Sequence, residues 1–388
     1  MSEATFDTLF YFVYMDDLIY LYAVSEFFRY NPLASRQLIE LFDDPALIFN
    51  SPLENLVSVL GNEKMAMELK NPALLERSRR EIEWSRSHGV QLLAYNTPHY
   101  PALLAECADA PIMLFYLGSA DLNKVMPVSI VGTRLASGYG REIAGRVVDE
   151  LYQNSLLCGK EVAVVSGLAY GIDVAAHRAA LEVGVPTIGV LPCGIDLIYP
   201  SGHREIARRM VRQGGILTEF PHGTGVRRWQ FLKRNRIIAG ISGTTIVVES
   251  RIKGGAMSSV EFANSYGRDV YAVPGRLGDS NSFGCNYLIS KNVAQIYTHG
   301  SAAQICGADV DGGAIPSGEV NLFSFDDDKK EKILLSLKDN LTMDSDALCR
   351  GSGLSFDEVS ALLLELELEG RVEVVMGNRY RIAVGKSK

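Results

Sequence analysis

Four short stretches of this chain carry residue types that could hold an anion. Ser129-Ile130-Val131-Gly132-Thr133-Arg134 leads into Ser137-Gly138-Tyr139-Gly140, and Val165-Ser166-Gly167 leads through Gly171 to Asp173 and His177. Each reads as a strand, a glycine turn and the start of a helix. Amides at a helix N-terminus attract phosphate, and glycine lets a ligand approach the backbone. Arg134 can add two parallel charge-assisted hydrogen bonds. The candidate contacts are Gly132, Thr133, Arg134, Ser137, Ser166 and Gly167. A tight connection with a surface arginine has the same spacing. Asp173 and His177, one turn apart, read either as an acid–base pair or as a helix N-cap with a structural histidine.

The third stretch, Val226 to Arg236, interleaves arginine and lysine with Trp229 and Phe231. Cations for phosphates and aromatic faces for unstacked bases suit single-stranded nucleic acid. Phe231, Lys233, Arg234, Asn235 and Arg236 are the candidates, against a solvated basic loop with its aromatics packed beneath. The fourth, Val248 to Ser259, is again strand, glycine turn and helix, and adds Gly255. Gly254-Gly255 followed by Glu261 resembles the signature of nucleotide-processing enzymes such as phosphoribohydrolases, which is the alternative reading. The chain offers no Walker A lysine, metal-ligand cluster or nucleophile elbow. The expectation is therefore no catalytic residue, no metal and no cofactor.

The elements that must position these residues follow from patterning. Residues 1–105 read as helices, with helical spacing over Ser35–Phe49 and Leu74–His88, and 94–110 as extended and turn-like. Over residues 106–300, β-rich runs at 128–131, 162–166, 187–191, 216–219, 245–249 and 270–273 alternate with helical stretches. That predicts an α/β fold with a doubly wound parallel sheet binding ligands at the carboxyl ends of its strands. Residues 301–328 are glycine-rich and read as a linker. Residues 329–388 read as three helices and a hairpin turning at Gly377-Asn378, a winged helix, with Ser355 and Glu358 as a capping box.

With 388 residues, two or three domains are expected, and an apolar fraction of 47% suits real cores. The net charge of −8 weighs against a nucleic-acid partner, but between His203 and Arg236 nine Arg/Lys face two acids, so a basic field can still form locally. The six cysteines are scattered without metal or redox spacing, which suits a reduced, cytoplasmic protein. No signal peptide is read at the N-terminus, and Asp16 and Asp17 in the apolar stretch Phe6–Phe28 argue against a membrane span.

Taken together the chain resembles the DNA-processing protein A family over about residues 75–300. The resemblance rests on Tyr100-Pro101, Gly118, Ser129–Arg134, Ser166–Asp173, His177, Thr187–Leu191, Gly194–Asp196 with Tyr199-Pro200, Gly214–Pro221, Glu249, Gly267–Gly275 and Ser282–Ile289. The most specific piece is Arg234-Asn-Arg-Ile-Ile-Ala-Gly-Ile-Ser242. Two segments depart from the family pattern: Phe231-Leu232 where Phe-Pro is usual, and Gly254–Ser259 where Ser-Gly-Ser-Leu-x-Thr is usual.

The resemblance implies an extended Rossmann-like core that forms a homodimer and binds single-stranded DNA. It also implies loading of RecA recombinase during natural transformation, with Arg134, Lys233, Arg234 and Arg236 touching DNA and the turns at Gly132 and Gly167 lining one phosphate pocket. The N-terminal helices are similar to the family's SAM-like domain and the C-terminal unit to its winged helix. The third helix of that unit carries acids and no Lys or Arg between Gly353 and Gly370, so a protein-contact or dimer-packing role is expected rather than DNA reading.

Overall fold

A computed structural model describes residues 17–307 and 324–382, apart from 43, 96, 339–341, 369 and 376–378. The chain forms two compact units, Met1–Asp309 and Val310–Lys388.

The first unit opens with a helix α1 over residues 17–27, followed by α2 (Pro32–Phe42), α3 (Pro45–Asn50), α4 (Leu53–Leu60), α5 (Glu63–Leu69) and α6 (Pro72–Ser87). The helical spacing over 35–49 is shared by two helices, divided just before Pro45. Asp44 caps α3 by accepting from the Ala46 amide at 2.8 Å, and Pro45 occupies its first turn. Proline has no amide to continue α2. Val24, Leu38, Ile48, Leu56 and Leu69 close a small core among these helices.

A nine-stranded sheet follows, in the order β1-β2-β6-β5-β4-β3-β7-β8-β9. Its first strands are β1 (Gln91–Ala94) and β2 (Met113–Gly118), flanking a short α7 (Ala102–Ala105). They pair antiparallel, and β2 runs antiparallel to β6. The sheet thus begins inside the segment read as helical. β1 contains no β-branched or aromatic residue, so propensity gives little signal for it, and burial against the sheet decides.

From β3 (Met126–Val131) the chain passes through α8 (Gly138–Leu157), β4 (Val162–Ser166), α9 (Ile172–Val183), β5 (Thr187–Val190), α10 (Arg204–Gln213) and β6 (Gly215–Thr218). It then returns over the sheet in α11 (Arg228–Ile241) to β7 (Thr244–Val247), and continues through α12 (Ala256–Ser265), β8 (Asp269–Ala272), α13 (Phe283–Ser290) and β9 (Gln295–Ile296). All six β-rich runs form strands, and β3 to β9 are parallel to one another.

Alternating side chains feed two cores. Ile130, Val164 and Ile246 pack with Val147 and Leu151 of α8 and Ala176 of α9. Val131, Val165 and Val247 pack with Ile237 and Ile241 of α11, Val260 of α12 and Leu288 of α13. The winding reverses between β3 and β7, so their carboxyl ends open a crevice there. Ser301–Cys306, the start of the expected linker, is instead a helix, α14, whose Ala302 and Cys306 are buried beside α8. Residues 308–323 of that linker lie outside the described residues.

The second unit has α15 (Ser324–Lys338), α16 (Ser345–Ser352), α17 (Phe356–Leu368) and a sheet of β10 (Met343–Asp344), β12 (Arg379–Ile382) and β11 (Val372–Val375) in that order. Three helices and a small sheet close on Ile333, Leu348, Leu363 and Leu366. The Ser355–Glu358 box forms: the Ser355 amide reaches the carboxylate at 3.0 Å, and the Glu358 amide reaches the Ser355 hydroxyl at 3.4 Å. The hairpin turn at Gly377-Asn378 lies outside the described residues.

Candidate nucleic-acid interface

The carboxyl ends of β3 and β7 and the first turns of α11 and α12 enclose a cleft of about 740 Å³. Gly132, Thr133 and Arg134 line it from the β3 turn, and Arg251, Gly254 and Gly255 from the β7 turn. The Gly132 turn is tight enough to need glycine: a Cβ there would stand 2.5 Å from Ile172 Cγ1 and 2.9 Å from the Glu249 carbonyl.

The anion at the start of α8 is already present. Glu249, buried at the end of the β7 run, accepts from the Ser137 amide at 2.9 Å and from its hydroxyl at 2.5 Å. Ser137 in turn caps α8 through the Gly140 amide at 2.9 Å. The helix N-terminus attracts a negative charge as expected, but a side-chain carboxylate supplies it. Ser137 is therefore engaged inside the protein rather than offered to phosphate. The corresponding start of α12 has no acid in its first turn and no side-chain cap, and Gly254, Gly255, Ala256 and Ser259 all line the cleft.

The basic run is the first two turns of α11 and not a loop. Helical periodicity splits it. Arg228, Phe231, Leu232 and Asn235 form one face and line the cleft, joined by Arg234. The Arg134 guanidinium lies over the Phe231 ring, 4.8 Å from its centroid, and Tyr199 meets the same ring edge-on at 5.7 Å. A cation over an aromatic face is held in place while its donors stay free.

Lys233 and Arg236 turn the other way. Arg236 Nη2 donates to Glu219 at 2.5 Å, with both side chains almost fully buried. Lys233 lies 3.3 Å from the same carboxylate and donates to the Tyr30 carbonyl at 2.5 Å. The Tyr30, Phe220 and Trp229 rings surround its ammonium. Burial pushes the Lys233 pKa down, and Glu219 opposes that. Both cations were expected at the nucleic acid; Glu219, isolated in an apolar setting, draws them inward.

Arg234 is only 3% exposed, yet its guanidinium lines the cleft. Nη1 donates to the Val190 carbonyl at 3.2 Å, while Nε has no hydrogen-bond partner among the described residues. Burial lowers its pKa to about 10, which leaves it cationic at neutral pH. The Ser166-Gly167 turn does not line the cleft. It lies behind Arg234, and the missing side chain of Gly167 is the space the guanidinium fills. Ser166 donates to the Ile130 carbonyl at 2.6 Å.

Asp173 lines the cleft beside Arg234, and burial raises its pKa against the arginine's pull. It is not the N-cap of α9, a position held by Gly171; it accepts from the Ala169 amide at 3.4 Å. His177 is fully buried against the Thr187 hydroxyl at 2.7 Å, with its pKa pushed down to about 3. A neutral, enclosed imidazole is a structural group and no proton shuttle for the cleft. Glu261, the acid of the enzyme-like signature, is exposed on α12 and outside the cleft lining. Among the described residues no group of His, Cys, Asp and Glu could hold a metal, and no helix is long and apolar enough to cross a membrane.

Arg228, Arg251 and Tyr199 stand within the motifs read from the sequence but are not singled out there as contacts, and all three line the cleft. Three-residue spacing from Phe231 marks Arg228 once α11 is read as a helix, whereas Arg251 and Tyr199 arrive through the topology.

The fold and cleft define a doubly wound domain with a basic, aromatic-edged crevice at its switch point, accompanied by a winged-helix unit. The family model for DNA recombination-mediator protein A matches residues 91–306, and that for the DprA winged helix domain matches residues 325–378. The chain belongs to the DNA recombination-mediator protein A family. It is 32% identical over 344 residues to a putative DNA processing protein DprA of Mycobacterium tuberculosis, covering 83% of this chain and 84% of that one. It is 39% identical over 201 residues to the DNA processing protein DprA of Streptococcus pneumoniae, covering 52% and 68%. The X-ray structure of the Streptococcus pneumoniae protein superposes with a TM-score of 0.62 at 30% identity, covering 75% of this chain and 97% of that one.

Proposed function

We propose that this protein binds single-stranded DNA in the crevice between β3 and β7 and hands it to a RecA-type recombinase, without catalysing a reaction itself. The Arg134–Phe231 stack above the buried Arg234 supports the reading most directly: an aromatic face and two guanidinium groups converge on one cleft. Phosphates meet Arg134, Arg228, Arg234, Arg251 and the amides of Gly132 and Gly255, while bases stack at Phe231 and Tyr199; the Thr133 amide is already held by the Glu249 carbonyl at 2.7 Å. Asn235 sits beside them, its amide donating to the Ser258 hydroxyl at 2.8 Å. The setting is cytoplasmic DNA uptake in natural transformation, with the protein acting as a homodimer.

The test is fluorescence anisotropy on labelled oligo-dT at two salt concentrations, with duplex as competitor. The expected result is binding that duplex barely displaces and that weakens with salt at a slope of about −0.7 per phosphate neutralised. Equal affinity for duplex, or no binding, overturns the proposal. In the second case nucleoside monophosphates become the ligand to try, with release of free base as the readout.

A further inference from the structure

A second basic surface leads away from the cleft. Helix α10 buries Ala207 and Met210 against the sheet and turns Arg204, Arg208 and Arg212 to solvent. These three stand at i, i+4 and i+8, so they form one stripe with about 6 Å between successive residues along the axis. Arg178 of the neighbouring α9 is also exposed. Among the described residues, Arg178, Arg204 and Arg212 have no ion-pair partner. Arg208 meets Glu205 at 3.1 Å, but both side chains are more than 70% exposed, where such a pair is weak.

The stripe is continuous with the cleft. Ala169 lines the cleft, and its neighbour Tyr170, 55% exposed, packs edge-on against His203 at 4.9 Å. His203 is tied to the Leu168 carbonyl at 2.8 Å and immediately precedes Arg204. Because α10 connects the parallel strands β5 and β6, it starts at their carboxyl ends, the edge where the cleft opens. The path from the cleft thus runs over an exposed tyrosine and onto a row of arginines. No large apolar side chain of α10 is exposed, which disfavours a membrane as the occupant.

We infer that α10 carries the continuation of the strand: single-stranded nucleic acid leaving the cleft passes Tyr170 and lays its phosphates along Arg204, Arg208 and Arg212. This rests on the proposed single-strand binding by the cleft. The stripe contributes affinity and salt dependence without base preference, because it presents cations and no stacking surface beyond Tyr170.

The test compares two labelled dT oligomers on the full chain: one of about six nucleotides, able to occupy the cleft alone, and one of about 25. The variant combines Arg204→Gln, Arg208→Gln and Arg212→Gln, three exposed positions outside the cleft lining. The wild type is expected to bind the longer oligomer more tightly and with a steeper salt dependence. In the variant the longer oligomer should lose at least about tenfold in affinity, its salt slope should become shallower by about 2, and binding of the short oligomer should not change. Unchanged short-oligomer binding also reports an intact fold. A variant that keeps wild-type affinity and slope for the longer oligomer overturns the inference, as does an equal loss on both lengths. Failure of the wild type to bind either oligomer would remove the single-strand reading of the cleft as well.

Discussion

A methyl group built on Gly167 would stand 1.5 Å from Nη1 of Arg234. The glycine turn after β4 therefore shapes the site indirectly: it leaves room for a buried guanidinium, and the guanidinium reaches the cleft in its place. Gly167→Ala should push Arg234 off its seat. A charge-assisted hydrogen bond is worth about 1.5–3 kcal/mol, so single-strand affinity should fall roughly tenfold to a hundredfold. Anisotropy titration beside Arg234→Ala decides it. If Gly167→Ala binds like wild type, the seat has no bearing on the ligand.

Arg134 and Phe231 act as a unit. Replacing Phe231 by Ala removes a stacking face worth about 1–3 kcal/mol per base and also frees the Arg134 side chain. A double-mutant cycle with Arg134→Ala should therefore show a coupling of about 0.5–2 kcal/mol in single-strand binding. Strict additivity would mean that the stack does not persist in the complex.

Glu219 holds Arg236 and Lys233 away from the cleft, so its removal is a matter of stability. Glu219→Gln leaves the buried Arg236 guanidinium with only the Asp109 carboxylate, 4.0 Å away, as counter-charge, which costs up to about 3–5 kcal/mol. Urea unfolding should show the loss, and Arg236→Ala should share it. A cost under about 1 kcal/mol would mean that solvent already screens the pair.

His177 gives the acid limb of stability its sign. Its pKa is about 3 in the folded protein against 6.5 for the ordinary side chain. The unfolded chain binds the extra proton between those values. Stability from a neutral His177 is complete above pH 6.5 and is lost as pH falls toward 3, by up to about 1.4 kcal/mol per pH unit. Asp173 has the opposite sign: burial raises its pKa, so acidification above its ordinary value of 3.8 relieves a cost. His177→Asn can keep the bond to Thr187 and does not titrate, so its stability should fall less steeply between pH 6.5 and 4. An identical pH profile would show that other groups set the acid limb.

The sequence by itself determined the doubly wound sheet, because strand-length β-rich runs alternating with helices allow few other arrangements. It also determined the winged-helix unit with its Ser355–Glu358 cap, and the segment that carries the cations. β1 and β2 were hidden, since Met113–Gly118 pairs antiparallel with a distant β6 and Gln91–Ala94 only adds to β2 at the sheet edge. Which cations face the ligand was decided only by tertiary structure. Along α11 a 100° turn per residue sends Arg228, Phe231 and Asn235 to one side and Lys233 and Arg236 to the other. The residues that settle their fate, Glu219 and Tyr30, are remote from them or belong to other elements. The same holds for Ser137, whose helix end is filled by Glu249, and for Gly167, whose importance is a space measured against Arg234. Local spacing encodes turns and helices; the partner of a buried charge is fixed by the fold, because desolvation makes each such charge find whichever counter-charge the packing brings within reach.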